Sequence, residues 1–332
     1  MDPVAAQTTL ADTETICCSF CQSKQSSVHV REGQWTIVRC SNCGFCYTNP
    51  RPTMASLPRY YEESYFNDER HRLKFYNPDG SIRMESGEGY HNRIEDVERR
   101  VSARGKVLEL GCARGFFLQT LKDRGWEVEG VEISADAVAI GRNHLGLNIH
   151  QGTLEDFTGT GPYDVVCMYQ TLEHVPDPHY VMKRSRELLR QGGVFVAEVP
   201  NLTSFDMLGN PERRRLSHDL PRHLNHFTPE VLVRELEREG FREVQLSRYY
   251  PQFLVSILQG RNVGKPAPPP AADPGSSTAG ASVKAASTSA VARDKAALPP
   301  LAIPASGWKQ QALNGISRIF PGWRMTVSGL KS

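Results

Sequence analysis

An α/β fold, with a parallel sheet covered by helices on both faces and a small cysteine-paired module in front of it, is the architecture this sequence predicts. Three features carry that expectation. Apolar strand-like runs alternate with helical periodicity from residue 106 to residue 199, the pattern of βαβ crossovers. A strand, a glycine turn and a helix start follow one another directly in Lys106–Leu118, KVLELGCARGFFL. Ahead of them, Cys18-x-x-Cys21 and Cys40-x-x-Cys43 stand eighteen residues apart.

The composition sets the frame for these features. A chain of 332 residues with 39% hydrophobic content holds one large α/β domain plus an appendage. A formal net charge of +2 supplies no basic field and argues against nucleic acid as the main partner. The opening MDPVAAQTTLADTETICC has neither a charged leader nor an apolar core, and no long apolar run occurs, so a soluble, cytoplasmic protein without a membrane span is expected. Residues 1–15 read as a disordered N-terminus.

Eight cysteines in such a chain point to metal or chemistry before disulfides. Each Cys-x-x-Cys pair can sit on a tight turn, so that Cys18, Cys21, Cys40 and Cys43 face one Zn²⁺ as a closed tetrahedral set, structural rather than catalytic. Cys17 competes by adjacency and Cys46 is a spare. Val28–Val30 and Trp35–Val38 alternate like short strands, which completes a zinc ribbon over residues 16–50.

Residues 51–101 form an aromatic connector, with Tyr60, Tyr61, Tyr65, Phe66, Phe75, Tyr76 and Tyr90, and end in a lead-in helix marked by Ile94, Val97 and Val101. The connector could line a ligand site or pack on the next domain. The glycine turn after Lys106–Leu110 lets a ligand approach bare backbone, and the following helix presents unpaired N–H groups. Strands are then expected at Trp126–Val131, Leu147–His150, Tyr163–Met168 and Val194–Val199, with helices at Ala135–Asn143 and Val181–Leu189. Ligands of such sheets sit at the carboxyl ends of the strands. Glu132 ends the second strand, 21 positions after Gly111, where a carboxylate can accept hydrogen bonds from both hydroxyls of an adenosine ribose. A dinucleotide fingerprint would place its third glycine where this chain has Phe116, which disfavours NAD.

Over about residues 17 to 260 the sequence resembles the class I S-adenosylmethionine-dependent methyltransferases, in particular the small-molecule branch with an N-terminal zinc ribbon. The resemblance rests on the paired CxxC motifs, VLELGCARG, GVEIS, GTLEDF, YDVVCMYQTLEHVPDP, GGVFVAEVPN and HLNHFTPEVLVRELEREGF. It implies a doubly wound, seven-stranded, mostly parallel Rossmann-like sheet. It also implies that Glu109, Gly111, Ala113 and Gly115 border the methionine part of the cofactor, that Glu132 and Ile133 hold the ribose and adenine edge, and that Thr153 and Leu154 flank the adenine. Gln170, just past the fourth strand, completes the cofactor-binding set. Ala113 stands where the family usually has glycine, and Thr153 where it usually has an acidic residue.

A sulfonium methyl is already activated, so the protein must hold the nucleophile in line and, for a hydroxyl or acidic carbon, remove a proton. Candidate bases are His174 in LEHV, and His223 and His226 in HLNHFT. Glu173 either orients a loop or meets the substrate. The acceptor implied by the resemblance is an oxygen or carbon of a small molecule: a sugar, a nucleotide sugar or glycan precursor, or a secondary metabolite. Two alternatives stand beside it: an RNA methyltransferase gripping RNA with its ribbon, and a non-catalytic cofactor-binding scaffold.

Thr228-Pro229-Glu230 starts a helix that stops at Gly240, and Phe241–Tyr250 reads as a sixth strand. Arg213–Arg215 upstream reads as a solvated polar loop or a phosphate contact. Residues 262–300 are rich in Pro, Ala and Ser and read as a disordered insertion. Trp308 to Phe320 has an amphipathic helical pattern, and Arg324–Leu330 alternates as a strand. The closing hairpin of the family fold implies that this strand returns to the sheet, so that residues 102–261 and 301–332 together make the methyltransferase domain.

Overall fold

The computed structural model describes residues 12–57, 60, 90–204, 211–248 and 324–332. In chain order the elements are β1 (Thr13–Glu14), β2 (Ser26–Glu32), β3 (Trp35–Cys40), β4 (Cys46–Thr48), β5 (Arg51–Pro52), α1 (His91–Glu98), β6 (Lys106–Leu110) and α2 (Phe116–Asp123). They continue as β7 (Glu127–Glu132), α3 (Ala135–Leu145), β8 (Asn148–Gln151), β9 (Tyr163–Tyr169), α4 (Pro178–Leu188) and β10 (Leu189–Pro200). The last are α5 (Pro211–His218), β11 (Asn225–His226), α6 (Pro229–Arg238), β12 (Phe241–Arg248) and β13 (Arg324–Lys331).

The large sheet has seven strands in the order β12-β13-β10-β9-β6-β7-β8. Neighbours from β10 to β8 run parallel, and β13 lies antiparallel to both β10 and β12. This is the doubly wound sheet that the sequence implies, and the chain does come back at Arg324 to fill its sixth place. The parallel strands are covered on both faces, which is why β9 and β10 read as nearly unbroken apolar runs. Val165, Cys167, Val194 and Val196 enter one core with Phe117, Leu121 and Ile94. Leu108, Val166, Met168 and Phe195 enter the other. The strand order changes direction between β6 and β9, the crevice at which such sheets hold ligands.

Helix starts follow local chemistry. Ser134 accepts the Ala137 N–H ahead of α3. Asp177 accepts the His179 and Tyr180 N–H groups, with Pro178 opening α4, and Thr228 accepts the Val231 N–H before Pro229 and α6. The arginine run does not form a loop: Arg213, Arg214 and Arg215 lie in α5. Proline tolerates a first helical position and arginine is a good helix former, but the segment has no apolar stripe for a periodicity argument to find.

The cysteine module folds as a sheet of its own, ordered β11-β4-β3-β2. Its fourth strand belongs to the methyltransfer half of the chain, because Asn225 and His226 pair with Tyr47 and Cys46. Cys18, Val38, Phe45 and Tyr47 share one continuous core with Leu108, Met168 and Phe227. The module and the large sheet therefore pack as one body rather than as beads on a linker. Tyr60 stacks edge-on against Trp35, whereas Tyr61, Tyr65, Phe66, Phe75, Tyr76, residues 262–300 and the stretch from Trp308 to Phe320 lie outside the described residues.

Candidate functional site

Both Cys-x-x-Cys pairs fold into the same knuckle. The Gln22 N–H donates to Cys18 O at 2.8 Å and the Cys18 N–H to Ser23 O at 3.0 Å; the Gly44 N–H donates to Cys40 O at 3.0 Å and the Cys40 N–H to Phe45 O at 2.9 Å. The residue after each second cysteine turns back with positive φ, 58° at Gln22 and 75° at Gly44. Sγ of Cys18 lies 3.4 Å from that of Cys43, and Sγ of Cys21 lies 3.5 Å from that of Cys40. All four sulfurs lie within 4.8 Å of one another. Zn–S bonds of ~2.3 Å arranged tetrahedrally put sulfurs about 3.8 Å apart, so the set fits one such cation. Cys17 and Cys46 are not members; the Cys46 thiol donates to Gly44 O at 3.8 Å instead.

The glycine turn joins β6 to α2. Gly111, Ala113 and Gly115 all have positive φ, at 71°, 48° and 81°. A Cβ on Gly111 would stand 2.4 Å from Thr171 Oγ1, so the turn packs directly on the loop that follows β9. Glu132, at the end of β7, closes the turn: Oε2 accepts the Ala113 N–H at 2.9 Å and Oε1 the Ser134 N–H at 2.8 Å. Each oxygen keeps further acceptor capacity. Beside it Ile133 is 67% exposed, the highest value for a large apolar side chain among the described residues, while Leu154 is buried. The Thr153 hydroxyl donates to Asp156 Oδ2 at 2.9 Å and the Thr153 N–H reaches the same oxygen at 3.3 Å. The carboxylate absent at position 153 thus returns from three residues downstream, and Thr153 keeps its oxygen as an acceptor.

Glu109, at the end of β6, is buried, and its Oε2 has no hydrogen-bond partner among the described residues. Burial pushes its carboxyl up to about 8 against the opposing pull of Arg93, and Glu132 adds to the rise. Arg93, on α1, holds its guanidinium 4.5 Å from the centre of the Tyr169 ring and 3.7 Å from Glu198 Oε1. Gln170, at φ 57°, donates its N–H to Glu198 O at 2.8 Å and its side-chain amide to Glu198 Oε1 at 3.4 Å. A buried carboxyl, a cation and an amide therefore meet at the carboxyl ends of β6, β9 and β10.

On the loop after β9 and the segment leading into β11, Glu173, His174 and His223 bring one carboxylate oxygen and two ring nitrogens within 4.8 Å of one another. His174 Nδ1 lies 3.0 Å from Arg222 O and His223 Nδ1 lies 2.8 Å from Ser217 O. A carbonyl only accepts, so both rings carry a proton on Nδ1, and His223 Nε2 lies 3.7 Å from Asp219 Oδ2. The rings meet edge to face at 4.7 Å. Burial holds His174 down to about 3, with His223 adding to the fall, and burial likewise holds His223 down to about 4. Neither carboxylate oxygen of Glu173 is hydrogen-bonded among the described residues, and burial raises that group to about 8. His226 lies on β11, its ring directed at the cysteine module.

A methyltransferase-domain family model matches residues 60–246, more than half of the chain. The chain belongs to the class I S-adenosylmethionine-dependent methyltransferases. It is 29% identical over 161 residues to a ubiquinone biosynthesis O-methyltransferase of Glaesserella parasuis, covering 44% of this chain and 68% of that protein. It is 36% identical over 95 residues to the protein of the same description in Cronobacter sakazakii, covering 26% and 39%. The chain thus spans about two thirds of the first relative and well under half of the second. A crystal structure of a SAM-dependent methyltransferase from Archaeoglobus fulgidus superposes with a TM-score of 0.47 at 18% identity, covering 74% of this chain and 95% of that one.

In this methyltransferase the sequence-derived residues fall into three groups. Glu109, Gly111, Ala113, Gly115, Glu132, Ile133, Thr153, Leu154 and Gln170 all lie at the carboxyl ends of β6 to β9 or in the loops that follow. Glu173, His174 and His223 cluster beyond them, and Cys18, Cys21, Cys40 and Cys43 converge apart; the remaining candidate base, His226, joins none of the three and sits on β11 against Thr48. Arg93 was not selected by sequence reasoning, and Asp156 stood there only within GTLEDF, with no role of its own. Arg93 is a lone arginine on an amphipathic helix and matches no motif, and Asp156 becomes relevant only once Thr153 is seen bonded to it.

The buried imidazoles give the methyltransferase a defined pH response. His223 and His226 both have folded values below the ordinary 6.5. Each therefore contributes stability that is present above pH 6.5 and lost as the pH falls toward the folded value, because the unfolded chain takes up a proton the folded chain refuses, at about 1.4 kcal/mol per pH unit for each ring. Asp96 and Glu109, raised by burial to about 7 and about 8, act in the opposite sense and lose stability as the pH rises through those values. Denaturant melts across pH 4 to 9 are expected to show a stability maximum in mildly acidic solution, and a maximum above pH 8 would contradict these assignments.

Proposed function

We propose that this methyltransferase moves the methyl group of S-adenosylmethionine to a hydroxyl oxygen of a small-molecule acceptor. The observation that carries the reading is the Glu173–His174–His223 cluster: a neutral, half-buried proton acceptor on the loop whose Thr171 packs against the Gly111 turn. The cofactor supplies an activated sulfonium methyl. Glu132 is assigned to the ribose hydroxyls, Ile133 and Leu154 to the adenine faces, and Thr153, backed by Asp156, to the adenine amine. Glu109 and Gln170 are assigned to the methionine ammonium and Arg93 to its carboxylate. His174, its Nδ1–H directed at the Arg222 carbonyl, is assigned as the proton acceptor, and Glu173, once it has given up the proton that burial favours, as the carboxylate that would stabilise the imidazolium. The four cysteine thiolates are assigned to one structural Zn²⁺.

A hydroxyl acceptor agrees with the O-methyltransferase description of the relatives, while the zinc-ribbon resemblance points to sugars. Labelled S-adenosylmethionine should therefore be offered with a panel of phenols, catechols, nucleotide sugars and glycans, with structured RNA as a control. Labelled product only on RNA would defeat the proposal. On the cofactor side, Glu132→Ala removes a charged acceptor, a loss of about 1.5 to 3 kcal/mol, and cofactor affinity by calorimetry is expected to fall about ten- to a hundredfold. Unchanged affinity would take Glu132 out of the site. Failure of the wild-type chain to bind the cofactor at all would favour the scaffold reading.

A further inference from the structure

The cysteine module and the histidine segment are joined by more than packing. Thr48, the last residue of β4, makes three bonds to residues 223–226. Its N–H donates to Leu224 O at 3.0 Å, its hydroxyl donates to His223 O at 2.7 Å, and its oxygen lies 3.0 Å from His226 Nε2. A hydroxyl has one proton. Since the His223 carbonyl can only accept, that proton is spent there, and the remaining contact must be His226 Nε2–H donating to Thr48. His226 is thereby fixed as the tautomer opposite to His174 and His223, with its lone pair on Nδ1. Thr48, His223 and His226 are all buried.

The segment that Thr48 grips continues into the proton-handling cluster. The N–H groups of Leu224 and Asn225 donate to Glu173 O at 2.8 and 3.0 Å, and the Asn225 side-chain amide donates to Leu172 O at 3.1 Å and Val175 O at 2.7 Å. In the other direction, β4 follows directly on the second cysteine knuckle and pairs with β3 through Ile37 and Thr48. A second tie runs in parallel, with His218 Nδ1 2.7 Å from Glu32 Oε1 at the end of β2. A continuous set of buried bonds thus leads from the thiolates through Thr48 to the loop that carries Glu173 and His174.

We propose that Thr48 is a positioning residue for methyl transfer: its hydroxyl locks the His226 tautomer and the 223–226 segment, and so makes the cysteine module a working part of the acceptor side. The link to catalysis rests on the assignment of the Glu173–His174–His223 cluster above, whereas the tautomer lock stands without it. The test compares wild type, Thr48→Ser and Thr48→Val as full-length, zinc-loaded protein. Nitrogen-15 NMR of the histidine rings should report protonated Nε2 for His226 in wild type and Thr48→Ser, and its loss or a tautomer mixture in Thr48→Val. Turnover of labelled cofactor on the pooled phenol and nucleotide-sugar panel should fall roughly tenfold in Thr48→Val, the loss expected from one buried hydrogen bond, and recover in Thr48→Ser. Cofactor affinity by calorimetry and zinc content should be equal in all three. An unchanged His226 ring signal in Thr48→Val overturns the inference. A shifted ring with undiminished turnover instead removes the histidine segment from the reaction and overturns the catalytic assignment.

Discussion

Cys40→Ser is expected to empty the thiolate centre and to unfold the module around it, with cofactor turnover lost as a consequence. The expectation follows from what holds the module together. Its strands are short, β2 is largely exposed along its length, and Val38, Phe45 and Tyr47 belong to the core shared with the large sheet, so little apolar burial is the module's own beyond Trp35 and Ile37. In a bound state the metal supplies what that core lacks: apparent free energies at structural zinc sites run to ~10–16 kcal/mol and are folding free energy, because the site does not exist in the unfolded chain. Without a cation the geometry is unfavourable. Burial pushes the Cys18 and Cys43 thiols up, Cys43 to about 11, so without a cation these two would sit side by side as buried thiols with poor hydrogen-bonding options. The measurement is metal content with hydrogen exchange: about one zinc per wild-type chain, none in Cys40→Ser, and protection lost across β2, β3 and β4. Cys17→Ser and Cys46→Ser serve as controls, since neither sulfur belongs to the cluster, and both should retain the metal. A wild-type chain free of metal, or a Cys40→Ser variant that exchanges like wild type, would refute the assignment.

What the sequence made legible is what depends on neighbours in the chain. The alternation of strand and helix, the glycine turn, the capped helix starts and the two cysteine knuckles are all decided by residues within a few positions of one another, so periodicity and spacing find them. The strand order was accessible only through the family resemblance, because β13 reaches its place between β10 and β12 from far along the chain. β11 was not visible at all: two residues make no pattern, and Asn225 and His226 become a strand only by pairing with β4. The same applies to the site. Glu132 could be read from its spacing to Gly111, but the protonation of His174, His223 and His226 depends on the Arg222 and Ser217 carbonyls and the Thr48 hydroxyl, partners that no local rule selects. Histidine could be selected as a candidate base from the sequence, but which of its nitrogens carries the proton could only come from the fold.

Gly111→Ala is expected to damage the cofactor side severely, and its neighbour Ala113 shows why. Position 111 carries two separate demands. Its φ of 71° lies where an L side chain costs about 1–2 kcal/mol, and a Cβ there would meet Thr171 Oγ1 at 2.4 Å and Cγ2 at 2.6 Å, an intrusion of the kind that costs a packed region about 1–3 kcal/mol. The turn must then move away from Glu132 and Thr171 together, and the cofactor dissociation constant should rise about a hundredfold, ~2.7 kcal/mol. Ala113 faces only the first demand, at φ 48°, and its N–H is already held by Glu132. Ala113→Gly should therefore relieve about 1 kcal/mol of backbone cost and leave affinity equal or severalfold tighter. That outcome would show that alanine in place of the family's usual glycine does not disable the site. The two demands at 111 can be separated with Thr171→Ala, which removes both of the shortest contacts and leaves the φ cost untouched. In the double variant Gly111→Ala/Thr171→Ala, affinity should recover by roughly the packing share, a coupling of about 1–2 kcal/mol in a double-mutant cycle. Strict additivity of the two changes would mean that the turn does not rest on the β9 loop, and that the cofactor side and the acceptor side are not built against each other at this point.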